Sequence, residues 1–195
     1  LLLALACKPS PENGTVSCGY PAIFPDYIGV TIPVNIAPLN FDVTERGADR
    51  VTAVVAGTNG DTLHCSSGDK TVRFPLKKWS ALLKANSGDS LLITVSVRHN
   101  GKRIVFRPFP VYVSDDSIDY GIVFRHIAPG YEVYSKMGIY ERELSSFRQK
   151  PVYENTLIPQ TCVNCHSFRQ ASPDSFVLHV RGEKGGTVLQ QNGIL

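Results

Sequence analysis

The sequence predicts a mainly β fold, an immunoglobulin-like β-sandwich followed by a smaller segment of β-hairpins. Three observations carry this. Short runs alternate apolar and polar residues along most of the chain, the period of a strand with one buried face. The 13 prolines and 16 glycines are spread along the 195 residues, which suits many strands and turns. Only one stretch has helical spacing. With 43% hydrophobic and 19% charged residues, the chain can build a core and lacks the composition of a disordered one. A formal net charge of +3, with no basic run, argues against a nucleic-acid binder driven by phosphate contacts.

Residues 1–7, Leu1-Leu2-Leu3-Ala4-Leu5-Ala6-Cys7, are apolar and turn abruptly polar at Lys8. A membrane span needs about 20 apolar residues, so this stretch is too short to be one. It matches the end of a secretory signal, and a Cys after small residues resembles a bacterial lipoprotein signal, whose Cys is acylated. The expectation is an exported domain held to a membrane by lipid on Cys7, with a trimmed ordinary signal peptide as the alternative. The one Met stands at position 137, so the chain reads as a fragment or a processed form. Residues 8–29 read as a tether rich in Pro, Gly, Ser and Asn.

Residues 30–125 read as the β-sandwich. Val51–Val55 and Thr62–Cys65 are separated by the turn residues Gly57-Thr58-Asn59-Gly60. Leu91, Ile93, Val95 and Val97 alternate with Leu92, Thr94, Ser96 and Arg98. Asn100-Gly101 then predicts a type I′ hairpin turn returning through Arg103–Phe106. The pattern continues in Val111–Val113, beyond Pro108 and Pro110. Leu76–Asn86 is the helical stretch, with Leu76, Trp79, Leu82 and Leu83 on one face and Gly88 beyond its end. Roughly seven short strands in this span point to the immunoglobulin-like sandwich. Cys18 and Cys65 are candidates for a bridge, or Cys65 is a small core side chain. No motif of a hydrolase, zinc protease or phosphate-binding loop occurs. Asp115, Asp116 and Asp119 read as a solvated loop, since a calcium site needs six or more oxygens.

Residues 126–195 carry the strongest chemical signal, Cys162-Val163-Asn164-Cys165-His166. C-x-x-C-H is the attachment pattern of c-type haem. On a helical turn its two thiols reach the two vinyl groups of one porphyrin, and the adjacent His meets the iron from the same side. The expectation is therefore one covalent haem c held by Cys162 and Cys165, with His166 as proximal ligand. Three alternatives stand beside it. A thioredoxin-like dithiol belongs in a βαβ setting that is missing here. Zinc has Cys162, Cys165 and His166 or His179 to draw on but needs a fourth ligand. An incidental Cys pair is the third.

For the second axial position the candidates are His179 and Met137, His/His and His/Met being common sets, with Met raising the potential. His179 shares a strand face with Val177 and Arg181, and Arg181 is placed to pair with a propionate. Met137 sits in an alternating stretch where a core role is the default. Residues 139–146 and 149–153 read as strand, turn and strand. Residues 176–181 and 187–190 form another hairpin across Gly182-Glu183-Lys184-Gly185-Gly186. Such closely spaced hairpins resemble blade edges of a β-propeller.

Taken together, NIAPLNF at 35–41, PGYEVYSKMGIYERELSSF at 129–147, CVNCHSF at 162–168 and HVRGEKGGT at 179–187 resemble a family of exported Gram-negative lipoproteins. That family has an amino-terminal β-domain and a C-x-x-C-H segment ahead of a TolB-like β-propeller. The resemblance implies a periplasmic or surface-facing protein, with 126–195 as the start of a propeller. The C-x-x-C-H motif on an anchored β-domain leads to a monohaem electron-transfer module that hands electrons to a redox partner protein. The alternatives are a binding or assembly lipoprotein without haem, and an enzyme acting through an open haem position.

Overall fold

The computed structural model describes residues 14–127, 135, 137–170, 173–192 and 194. Among the described residues the chain is mainly β, with one short helix, and it divides into two compact units, the first ending at Ser117 and the second beginning at Ile118. This boundary precedes the one expected at 125/126. The reason is pairing: Gly121–His126 forms a strand whose partner is Gly138–Glu143, in the second unit.

The first unit has ten strands among its described residues: β1 (Gly14–Val16), β2 (Ile23–Phe24), β3 (Thr31–Pro33), β4 (Phe41–Val43), β5 (Arg50–Gly57), β6 (Leu63–Ser67), β7 (Thr71–Val72), β8 (Ser90–His99), β9 (Lys102–Val105) and β10 (Phe109–Ser114). The ten-residue β8 organises a seven-stranded sheet. Along one edge it pairs antiparallel with β5, which pairs in turn with β6. Its other edge is shared, with β9 on Ser96–His99 and β10 on Ser90–Ile93. Short parallel strands extend these, β1 on β9 and β3 on β10. A second sheet has the order β2-β4-β7.

The alternation read from the sequence is what fills the core. Val51, Ala53 and Val55 of β5 and Leu91, Ile93 and Val95 of β8 are all 0% exposed, and opposite residues share a face. Phe41 and Val43 from β4 and Val72 from β7 join the same cluster. The helix α1 (Leu76–Ala85) adds Trp79, Leu82 and Leu83; Leu76, at its first position, is 41% exposed, so the buried stripe begins one turn later than expected. Trp79 stacks on Phe74 and its indole N–H donates to the Ile36 carbonyl at 3.2 Å. Asn86 closes the helix end. Its amide donates to the carbonyls of Leu82 and Asn59, and its Oδ1 accepts from the Asn59 N–H. Asn100 and Gly101 have φ of 48° and 76°, both positive as the type I′ turn requires.

Part of the expected tether is instead sheet. Gly14–Val16 runs beside Arg103–Val105, and Ile23–Phe24 pairs with Val43 and Asp42. Strands of two or three residues are too short for periodicity to reveal, so only pairing shows them.

Among its described residues the second unit holds two three-stranded antiparallel sheets. One is β11 (Gly121–His126), β12 (Gly138–Glu143) and β13 (Gln149–Glu154); the other is β14 (Thr161–Phe168), β15 (Ser175–Gly182) and β16 (Gly186–Gln191). Ile139 and Tyr153 of the first pack with Val163, Phe176, Leu178 and Val180 of the second. Beneath them Thr161 donates to the Ile158 carbonyl at 2.7 Å, so the Tyr153 hydroxyl is the donor in its 2.9 Å bond to Thr161. The β12–β13 turn is held by Glu143, whose carboxylate accepts from Ser145, Ser146 and Arg148. Those bonds, that from Ser146 foremost, keep its carboxyl below the usual carboxylate range.

Candidate functional site

Cys162–His166 lies within strand β14, not on a helical turn. The cause is local: Thr161 and Val163 are buried into the core, while β15 supplies ladder partners on either side of Asn164. In a regular strand, residues three apart point to opposite faces. Here the register shifts between Val163 and Cys165, so that Val163 faces Val180 and Cys165 faces His179, leaving Asn164 as an extra residue. The bulge changes the parity. Cys162 stands opposite Arg181 and Cys165 opposite His179, both on the face away from the core. Their separation along the sheet falls from about 10 Å, three strand steps, to about 7 Å, two steps.

Val163 is 0% exposed, and its N–H donates to Oδ1 of Asn155 at 3.0 Å. Asn155 is itself 2% exposed, and its own N–H donates to the Met137 carbonyl at 3.0 Å. This buried amide therefore anchors β14 just before the bulge. The sequence alone gave no signal for Asn155, because nothing local distinguishes a buried Asn from a turn residue.

The same parity moves His166 to the other side. Its ladder partner is the buried Leu178, and its ring packs edge-on against Phe168 at 5.3 Å. Its Nδ1 lies 3.1 Å from the Asn164 carbonyl, which can only accept, so Nδ1 carries the proton. His166 thus does not approach from the side of the thiols, as the helical-turn reading required. His179 does. It is directly across from Cys165, exposed, with Nδ1 3.0 Å from the Thr187 hydroxyl on β16. That contact orients the ring and leaves Nε2 as the nitrogen for a ligand. Thr187 is a residue that sequence reading passed over; the hairpin register places it opposite His179.

Cys162 is half-buried and Cys165 exposed, and both are free thiols. Arg181 is exposed beside Cys162 on the same face. Met137, half-buried, immediately precedes β12, a strand of the other sheet of this unit. Cys7 lies outside the described residues. Cys18 and Cys65 are unbridged, and the Cys65 thiol donates to the Arg73 carbonyl at 3.2 Å. Among the described residues no three His, Cys, Asp or Glu side chains converge as a metal-holding group. An axial haem ligand needs only one imidazole, so the fit of a haem rests on the thiol face. Two thiols on one face, an oriented imidazole across from one and a guanidinium across from the other fit a covalently held porphyrin. His166 as the ligand does not fit this face.

No protein-family model matches the chain, and no curated protein matches it.

Proposed function

We propose that the outer face of β14–β16 is the attachment site of one c-type haem, and that the protein is an electron-transfer module. The observation that carries this is the bulge at Asn164, which puts Cys162 and Cys165 on one face, across from Arg181 and His179. In this reading Cys162 and Cys165 form the thioethers, His179 is the axial ligand and Arg181 pairs with a propionate. The bound group supplies one-electron exchange, and the chain's part is to hold it on an exposed face that a redox partner protein can reach. Electron transfer needs no acid–base residues, in accord with the lack of a catalytic motif in the sequence.

The resemblance in the sequence supports the wider setting: an immunoglobulin-like sandwich in the first unit and sheets of the second serving as propeller blade edges. It also supports export to the periplasm or cell surface, with a lipid anchor at Cys7. The mass of the exported, matured chain tests the site. Covalent haem that survives acid–acetone extraction is expected, and changing both Cys162 and Cys165 to Ala removes it. A matured wild-type chain without covalent haem refutes the proposal and favours the binding or assembly reading.

A further inference from the structure

The outer face of β14–β16 continues past the cysteines. One row beyond Cys165, His179 and Thr187, about 7 Å along the strands, Ser167, Val177 and Leu189 stand side by side across the sheet. Val177 is 38% exposed and Leu189 57%. The opposite face already supplies the core through Phe176, Leu178 and Val180, so folding does not call on these two. Single apolar residues on a surface are ordinary, but here two directly opposed side chains line one hollow of about 390 Å³. Arg169, Ser175 and Gln191 line it as well. An apolar floor with a few polar groups beside it is the form of a small-molecule site, and this volume lies within the usual range of roughly 300–1,000 Å³.

The choice of occupant rests on the haem reading of the adjoining row. A porphyrin is a flat, largely apolar ring with its charged groups on one edge. Of the two rows that flank His179 on β15, the one holding Arg181 is charged and the one holding Val177 is apolar. A ring attached at the cysteines can therefore leave water only over Val177 and Leu189. We propose that Val177 and Leu189 form a ready-made seat for one side of the porphyrin, holding it by apolar burial independently of the thioethers. The haem-free chain then binds a porphyrin reversibly, which places the ring beside the thiols before they join to it.

The test is titration of the full chain, with Cys162→Ala and Cys165→Ala, with metal-free mesoporphyrin, followed by porphyrin fluorescence. With no thiol to join and no iron to ligate, only the seat holds the ring. Saturable binding of one porphyrin per chain is expected. Leu189→Asp and Val177→Asp should each weaken it about tenfold or more, because a charge beneath the ring loses its water. Val16→Asp, at a residue 79% exposed in the first unit, should leave it unchanged. Leu189→Ser and Val177→Thr take their place if the charged variants fail to fold. The inference is overturned if mesoporphyrin does not bind saturably, or if changes at 177 and 189 weaken it no more than Val16→Asp does. Its failure is distinct from that of the haem reading. Covalent haem in the matured chain without mesoporphyrin binding keeps the attachment and removes the seat. Mesoporphyrin binding in a chain that never acquires covalent haem keeps the seat and removes the attachment.

Discussion

The two units have separate cores, each fastened by one buried asparagine, and this makes their stabilities separable by experiment. Asn155→Ala removes the acceptor of the Val163 N–H, a donor on a residue that is 0% exposed. A buried donor left without its partner costs about 1–3 kcal/mol. Asn86→Ala removes three bonds at the end of α1, to Leu82 and Asn59, and leaves the Asn59 N–H without its acceptor. The expected loss there is larger, about 2–4 kcal/mol, from the same unit cost applied to more bonds. Two probes read the units independently. Trp79, the one tryptophan, reports the first by its fluorescence. In the haem-free chain the half-buried Cys162, with the other cysteines changed to Ser, reports the second by its rate of thiol labelling. In a denaturant series Asn155→Ala should bring forward the labelling transition of Cys162 and leave the Trp79 transition in place. Asn86→Ala should do the reverse. If Asn155→Ala moved the tryptophan transition by as much as the thiol one, the units would be one cooperative body and the reasoning would fail.

Three further outcomes are expected. In the matured chain His179→Ala should change the haem's visible spectrum while His166→Ala leaves it unchanged; the opposite pattern would return the ligand role to His166, and a response to Met137→Leu alone would give it to Met137. Glu143 titrates below its unfolded-state value, so the stability its bonds give is full above the ordinary carboxyl pKa and is lost as pH falls through the lower folded one. Glu143→Gln should therefore flatten the acid-side decline in thermal stability of the second unit, and an unchanged slope on circular dichroism would contradict this. Gly101→Ala meets nothing within 4 Å but forces alanine to φ 76°, so it should cost about 1 kcal/mol by denaturant unfolding; a neutral result would mean the turn relaxes.

The long elements were legible in the sequence, because periodicity accumulates over length. The strand at 91–98, the Asn100-Gly101 turn and the Trp79 helix face all follow from residue spacing, as do the hairpins at 139–153 and 176–190. The short strands β1 to β4 carry too few residues for a period and exist through their partners. The site was legible as residue types and misread as conformation. Cys-x-x-Cys-His was assigned a helical turn because that geometry brings positions three apart together. Thr161 and Val163, buried beside Cys162, are the strand signal that competes with it. The bulge depends on pairing with β15, and no local pattern announces it.

Asn164 has a further consequence, for what the sheet edge can do in company. Among the described residues β14 is the outermost strand of its sheet, eight residues long, with no strand paired along its outer side and the Val163 N–H taken by the Asn155 side chain. A smooth edge of that length is a template on which another chain can add a strand. The extra residue breaks the repeat of donors and acceptors and twists the edge, so an incoming strand cannot stay in register past it. Deleting Asn164 would preserve the shared face of the two cysteines while straightening the border. A chain so altered would keep its thiols in place and lose its protection against self-association.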